Sequence, residues 1–399
     1  MGFSKKTFAS LILAFLGFWG CTGGGGGDLN QTQTVYRNEA VEQLFLIYLN
    51  ADNNLDPFAD QDLDEIAQVS FPPSVKVVVL VDRLGNGVGY VYETNEFGKL
   101  ELVRTVAEPN MGDPKTLISF VVNEWPKYPN ATAHLIFWNH GTGWRSSLST
   151  DYRAASYDET PYDLLYTYEL REALDQIRQF LNKTFATISF DECLMGNLEV
   201  FYAVYPFADY LIASEQLEPG DGWNYQSVFS KFLSYLGTYN ASFAFAKAVV
   251  DAYAEYDGNY AMSLTMAAVP SEAVPILVEA VDELAKLYLG NPTLDPAYRN
   301  ARDNTPVIDD YQLADLYHFA KNLNGSVNST APERITATVE SLYRFTNDEN
   351  YQGISIYFPN DPALADQAYF CNASNPCDGY YNPFADTFWD EFLKTFLGL

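Results

Sequence analysis

ATISFDECLMGNLE, residues 186–199, is the stretch whose reading decides the rest of the chain. Ile188 and Phe190 alternate with polar neighbours as a strand does, and after a turn at Gly196 the segment Leu198 to Tyr205 reads as a helix. Cys193 therefore stands where a strand hands over to a helix. A helix N-terminus favours negative charge, so this position predicts a lowered thiol pKa and a reactive thiolate. Asp191, two residues earlier, shares a strand face with Cys193 and is expected to look into the same cleft. Free cysteines are also among the most buried residue types, which makes an inert core thiol the competing reading.

A second stretch, AHLIFWNHGTGW at residues 133–144, ends an apolar strand on Asn139-His140 and a loop opened by Gly141 and Gly143. A cysteine nucleophile needs an imidazole that takes the thiol proton and later protonates the departing amine. The chain has three histidines. His134 opens the same strand and His318 falls inside a helical pattern, YQLADLYHFAKNL, so both read as structural. His140 alone ends a strand on a glycine loop, where the reactive groups of open α/β sheets gather. It precedes Cys193 by roughly 50 residues, as in one caspase signature.

Together these stretches resemble the clostripain family of cysteine peptidases, relatives of the caspases and gingipains. NHGTGW (139–144) and FDECLMGNLEV (190–200) carry the resemblance. YLNADNNLD (48–56), IASEQLEPGDGWNY (212–225), IDDYQLADL (308–316) and GISIYFP (353–359) fall in the family's order, so it covers the chain from about Leu44 to Pro359. The resemblance implies an α/β chain folded as a caspase-like α/β/α sandwich, and an endopeptidase that cuts after Arg or Lys. It makes Cys193 the nucleophile, His140 the base and Asp191 an acid of the pocket for the basic side chain. The backbone N–H groups of Gly141 and Cys193 become the oxyanion hole. Asp221, in the acidic loop 215–223, is a second candidate acid for that pocket. No cofactor is required by the sequence, while the resemblance leaves calcium open. Several members of the family cut themselves between the His and Cys segments. The unpatterned stretch 145–163 lies in that interval with Arg145 and Arg153, of which Arg153 is the preferred site. One departure is Glu192, where the family commonly has a small residue; strand alternation predicts that its side chain points away from the cleft.

Composition narrows the partners. A chain of 399 residues that is 48 % hydrophobic supports one large or two moderate domains with a real core. Its 52 acidic and 23 basic residues give a formal charge of −29, which argues against nucleic acid because a phosphate backbone would be repelled. The same acidity suits basic peptide substrates and serves solubility equally well. No GxSxG elbow, HExxH helix or P-loop is present. A glycosidase reading lacks a motif despite the many carboxylates. The alternative function is a catalytically inactive, peptidase-like surface protein that captures peptides, against which Cys193, His140 and Asp191 all stand intact.

Residues 1–21 read as an export signal: Lys5 and Lys6 supply its charge, and Phe8 to Trp19 an apolar run too short to span a bilayer. Gly20-Cys21 resembles a bacterial lipoprotein cleavage site with Cys21 taking the lipid, and 22–40 is a Gly-rich tether. Export with a lipid anchor at the cell envelope is the expectation. Residues 41–225 then read as a catalytic core with a mostly parallel sheet, because βαβ units alternate through them. Residues 226–399 read as a mainly helical subdomain packed on that core, with a polar connector at 295–309, helices at 311–323 and 333–346, and a strand at 354–358. Cys371 and Cys377 form a disulfide if the chain is exported, with a metal pair or two free thiols as the other readings. Asp52, Asn54 and Asp56 are spaced like a calcium loop, but Pro57 and Leu63 occupy positions where an EF-hand needs Gly and Glu. Another metal role there stays open.

Overall fold

The run VKVVVLVD predicts a strand covered on both faces, and Val75–Arg83 is one, buried along nearly its whole length. In this computed structural model the described residues are 38–399 apart from 86, 145–156, 257, 259–261 and 378. The described residues from 38 to 399 form one compact unit. Cys21, the export signal, most of the tether, Arg145 and Arg153 lie outside the described residues.

In chain order the first elements are β1 (Gln43–Ala51), α1 (Asp56–Gln68), β2 (Val75–Arg83), β3 (Val88–Thr94), β4 (Leu100–Ala107), α2 (Pro114–Glu124) and β5 (Thr132–Trp138). There follow β6 (Tyr157–Asp158), β7 (Asp163–Leu164), α3 (Thr167–Leu181), β8 (Phe185–Asp191), α4 (Leu198–Val204) and β9 (Ala208–Ala213). The remainder adds α5 (Tyr225–Tyr235), α6 (Ala241–Tyr253), β10 (Thr265–Pro270), α7 (Ala273–Gly290), α8 (Asp295–Asp303), β11 (Val307–Ile308) and β12 (Leu313–Asp315). Last come α9 (Leu316–Leu323), α10 (Ala331–Glu340), β13 (Tyr343–Thr346), β14 (Ser355–Tyr357) and α11 (Trp389–Leu397).

Nine strands build the main sheet in the order β13-β10-β9-β8-β5-β1-β2-β3-β4. The five central strands, β9-β8-β5-β1-β2, run parallel, and antiparallel pairs close both edges. Strand alternation separates two cores. Leu44, Leu46 and Tyr48 face one of them, with α2, α3, α4 and α7; Phe45, Ile47 and Leu49 face the other, with α1, α5 and α6. This is the α/β/α sandwich that the resemblance implies. His134 belongs to the second core, stacked on Phe45 with ring centroids 4.4 Å apart, and burial pushes its pKa down to about 3. Its reading as structural holds.

The C-terminal part is mainly helical but not set apart from the sheet, because β10 and β13 extend it beyond β9. Three expectations there are corrected. Residues 295–303 are an amphipathic helix opened by Asp295-Pro296, whose Tyr298 and Ala301 reach the core, rather than a polar connector. Leu313–Asp315 is a strand paired with Ser355–Tyr357, and helix begins only at Leu316, where the Asp315 side chain accepts from His318 N. Tyr343–Thr346, read as the end of a helix, is an edge strand against β10; its aromatic and β-branched residues suit that place.

Candidate active site

β5 and β8 are neighbours in parallel register, with Trp138 opposite Asp191. The chain leaves both strands at the same end of the sheet, so His140 and Cys193 emerge side by side. β1 lies next to β5, while the strand that follows β1 in sequence, β2, lies on its other side. The strand order therefore reverses here, and open α/β sheets bind ligands in the crevice at such a reversal. A cleft of about 360 Å³ opens there. Its lining includes Asn54, His140, Gly141, Asp191, Cys193 and Glu218, with Met262 and Tyr311 from the C-terminal half.

Close backbone approach brings the two loops together. A Cβ on Gly141 would stand 2.1 Å from the carbonyl oxygen of Cys193, so only glycine fits that position. Leu194, directly after the cysteine, has φ +65°, a conformation that costs a branched residue about 1–2 kcal/mol. Two hydrogen bonds hold the turn, from Leu194 N to Gln216 O at 3.0 Å and from Gly196 N to Ser214 O at 2.7 Å.

Cys193 is half-buried and is the free cysteine among the described residues. Its sulfur accepts from Glu218 N at 3.2 Å and lies 3.8 Å from Glu218 O, to which the thiol donates. Burial pushes the thiol pKa up to about 12, and the charges of Glu218, Glu192 and Asp191 add to the shift. The expectation of a thiol activated by a helix N-terminus is therefore corrected. α4 begins only at Leu198, where Asn197 caps it, and carboxylates rather than helix amides surround the sulfur. Glu192 is corrected too: it is buried, lines the cleft and bears on the thiol.

His140 Nε2 is 2.7 Å from Asn54 Oδ1. An amide oxygen only accepts, so Nε2 carries the ring proton and the lone pair sits on Nδ1. Burial pushes the imidazole down to about 4, favouring the neutral ring. In the free chain both the thiol and the imidazole are thus neutral. The contacts that Asn54 and Glu218 make to His140 and Cys193 escaped the sequence reading. Both residues lie in stretches quoted for the resemblance, but nothing in their local pattern marks a contact to His140 or Cys193.

Beneath the cleft, Asp191, Asp62 and Glu218 form a buried acidic group. Burial raises Asp191 to about 7, while the Tyr225 phenol and Trp223 N–H pull the other way. Burial and the charge of Asp191 raise Asp62 to about 9, with Trp138 Nε1 donating to it at 2.6 Å. Glu218, raised by burial and by Asp191, accepts from Trp223 Nε1 at 3.1 Å. Asp221 is not among the cleft-lining residues; its Oδ1 accepts from Tyr256 OH at 2.9 Å. Cys371 and Cys377 are joined as a disulfide, with Cα atoms 5.7 Å apart.

A second acidic group, Asp52, Asp82 and Asp158, lies at the ends of β1, β2 and β6. Burial and mutual repulsion raise Asp82 to about 9, and burial with the neighbouring Asp52 raises Asp158 to about 8. The sequence had pointed to Asp52, Asn54 and Asp56. The fold disperses them: Asn54 accepts from His140, and Asp56 pairs with the Arg83 guanidinium at 2.5 Å.

Comparison with known proteins supplies the family and the fold. The sequence profile of the Clostripain family matches residues 47–395. Clostripain of Hathewaya histolytica is 28 % identical over 244 residues, 52 % of this chain and 45 % of that protein, so the match spans less than half the relative's length. A secreted C11 cysteine protease from Bacteroides thetaiotaomicron, solved with an irreversible peptide inhibitor, superposes with a TM-score of 0.64 at 18 % identity, covering 82 % of this chain and 96 % of that one. An inactive zymogen C11 protease from Parabacteroides distasonis gives a TM-score of 0.62 at 19 % identity, covering 80 % and 92 %. At such identities the two structures speak for the fold alone.

Proposed function

The chain belongs to the clostripain family of cysteine peptidases, and from that premise we propose that it is an exported, lipid-anchored endopeptidase cutting after Arg or Lys through Cys193 and His140. The observation that carries the reading is the meeting of Cys193 and His140 at one cleft, above buried Asp191. In the reaction, His140 Nδ1 takes the thiol proton as the sulfur attacks the scissile carbonyl. The C–N bond then breaks as the same proton passes to the departing amine, and water hydrolyses the thioester. The N–H groups of Gly141 and Cys193 receive the oxyanion; removal of one such donor typically costs about 10²–10³ in turnover. Asp191 faces the basic side chain, and ionises more readily once that cation is beside it. Asp221 is a more distant contributor to the same negative field. The Cys21 lipid would hold the enzyme at the envelope. Self-cleavage at Arg153 or Arg145 is part of the proposal, checked by sequencing the N-termini of fragments from wild type and Cys193→Ala.

The decisive experiment is hydrolysis of Arg- and Lys-terminated reporter amides by wild type and Cys193→Ala. Turnover by the first alone is expected. Equal turnover by both would sink the reading, and none by either would favour the inactive, peptide-capturing alternative.

A further inference from the structure

We propose that the loop closed by the Cys371–Cys377 disulfide is a positioning device for the catalytic pair, acting through the Tyr380 phenol on the backbone that carries His140 and Gly141. Tyr380 OH donates to Trp144 O at 3.2 Å. Trp144 ends the stretch 139–144 and is buried, its indole held edge-on by Tyr357 and Tyr369 with ring centroids 4.7 and 4.6 Å away. Tyr369 stands two residues before Cys371, and its OH donates to Glu199 Oε1 on α4 at 2.8 Å. One segment of the C-terminal part therefore holds both the chain that leaves His140 and the helix that follows Cys193.

The disulfide reaches Tyr380 through the backbone. Cys377 N donates to Tyr380 O and Tyr380 N to Cys377 O, each at 2.9 Å. On the other side of the bond, Asn382 N donates to Cys371 O at 2.7 Å and Asn382 Nδ2 to Tyr369 O at 3.2 Å. The cross-link thus ties Cys377, and with it Tyr380, to the segment that carries Tyr369. Cys377 is itself exposed, so no burial in the core would hold it there without the bond. A cross-link of this kind removes conformational freedom that the open chain keeps. The Tyr380 ring packs edge-on against Tyr166 and Tyr168, with centroids 5.7 and 5.6 Å away, which leaves its hydroxyl on the Trp144 carbonyl.

What is held is the chain from His140 to Trp144. Gly143 has φ +70°, and a Cβ there would stand 2.4 Å from Asn197 Nδ2. Asn197 Nδ2 in turn donates to Leu194 O at 2.7 Å, one residue after Cys193. With Gly141 against the carbonyl oxygen of Cys193, the two glycines let residues 141–144 lie flush on the nucleophile turn. A shift at Trp144 O is therefore passed to Gly141 N–H and His140. Misplacement of reacting groups by about 1 Å can cost about 10²-fold in rate. The contacts of the loop stand apart from the peptidase reading, whereas their effect on turnover rests on it.

The test compares the full chain with Tyr380→Phe, with the double variant Cys371→Ser/Cys377→Ser, and with all three changes combined. Assays run without added thiol, so that the wild-type cross-link stays closed. Tyr380→Phe keeps the ring packing and loses only the hydroxyl; it is expected to lower kcat about three- to tenfold with KM little changed. The Ser pair should lower kcat by at least about tenfold. Adding Tyr380→Phe to the Ser pair should cost less than about twofold more, because the hydroxyl is by then out of place. Wild-type kcat in both variants, losses confined to KM, or fully multiplied losses in the combination would each overturn the proposal. Amide exchange over residues 139–144, read by mass spectrometry, needs no turnover. Faster exchange there in both variants, with β1 and β2 unchanged, is expected. Unchanged exchange at 139–144 overturns the positioning whatever the kinetics show. Faster exchange in a chain without turnover supports the positioning and sinks only the peptidase reading.

Discussion

Two groups of buried carboxylates sit near the carboxyl ends of one sheet, and what surrounds their oxygens sets them apart. Asp191, with Asp62 and Glu218, borders the cleft among indole and phenol groups: Trp138 and Trp223 each donate to one oxygen of Asp62 and Glu218, whose second oxygens, Asp62 Oδ1 and Glu218 Oε1, have no hydrogen-bond partner. Asp52, Asp82 and Asp158 are not among the cleft-lining residues, and backbone amides donate to them, from Thr160, Arg83 and Met111. An acid ringed by oriented donors, with open space above it, is suited to a side-chain cation that arrives with its own N–H groups. Neither charge nor bare oxygens distinguish the two groups; the donors do, indole N–H groups in the one and backbone amides in the other.

The largest effect should come from breaking the first group. Asp191→Asn is expected to lower kcat/KM on Arg and Lys substrates by about 30- to 4,000-fold, the 2–5 kcal/mol of a buried pair truncated on one side. Substrates with a neutral P1 should lose far less. An equal loss on both would show that Asp191 supports the fold and not the pocket, and the contrast with the second group would disappear.

Next in size is Asn54→Ala, which removes the acceptor for His140 Nε2. A hydrogen bond of about 1–1.5 kcal/mol predicts a drop in kcat of roughly tenfold. The pH dependence should move with it, because the ring tautomer is no longer fixed. A drop in kcat with an unmoved profile would point to a structural role only.

How much of this could be read from the sequence depends on how far apart the partners lie. Strands such as Gln43–Ala51 and Val75–Arg83 announce themselves because a strand covered on both faces is a local apolar run. Cys193 and His140 each carry a local signature, a strand end followed by glycine. The two acidic groups have none. Asp52, Asp82 and Asp158 come from three segments far apart in sequence, and only β1–β2 pairing and the return of β6 bring them together. The thiol went astray for a similar reason. Position before a helix was legible, but the burial and the carboxylates that outweigh any helix contribution arrive from Glu218 and Glu192. Helix was expected at Tyr343–Thr346 because the pattern before it is helical; pairing with β10 overrides it.

A smaller effect concerns stability. Asp191 and Asp62 have folded pKa values of about 7 and 9, above the carboxylate range of an unfolded chain, so the folded state holds protons the unfolded state releases. The groups around them, Glu65, Glu218 and Tyr225, include no cation that would reverse the sign. Their contribution is fully present below about pH 4 and is lost as pH rises through 7 to 9. Calorimetric Tm should be higher at pH 5.5 than at pH 8.5, and Asp62→Asn should flatten the difference. A Tm that climbs with pH would contradict it.

The smallest effect is expected from removing residues 1–29. That variant should keep the wild-type kcat/KM and leave Tm within about 1 °C, because a Gly-rich tether adds nothing to a core. A loss of activity that detergent does not restore would contradict the tether.

The most direct test of the whole account is covalent capture of the cleft. Wild-type chain is incubated with peptidyl chloromethyl ketones that differ only at P1, Lys against Glu, and the labelled residue is located by peptide mass spectrometry. A stoichiometric adduct on Cys193 with the Lys compound, slow labelling with the Glu compound, and loss of the preference in Asp191→Asn are expected. A label placed elsewhere, or equal labelling by both compounds, would contradict it.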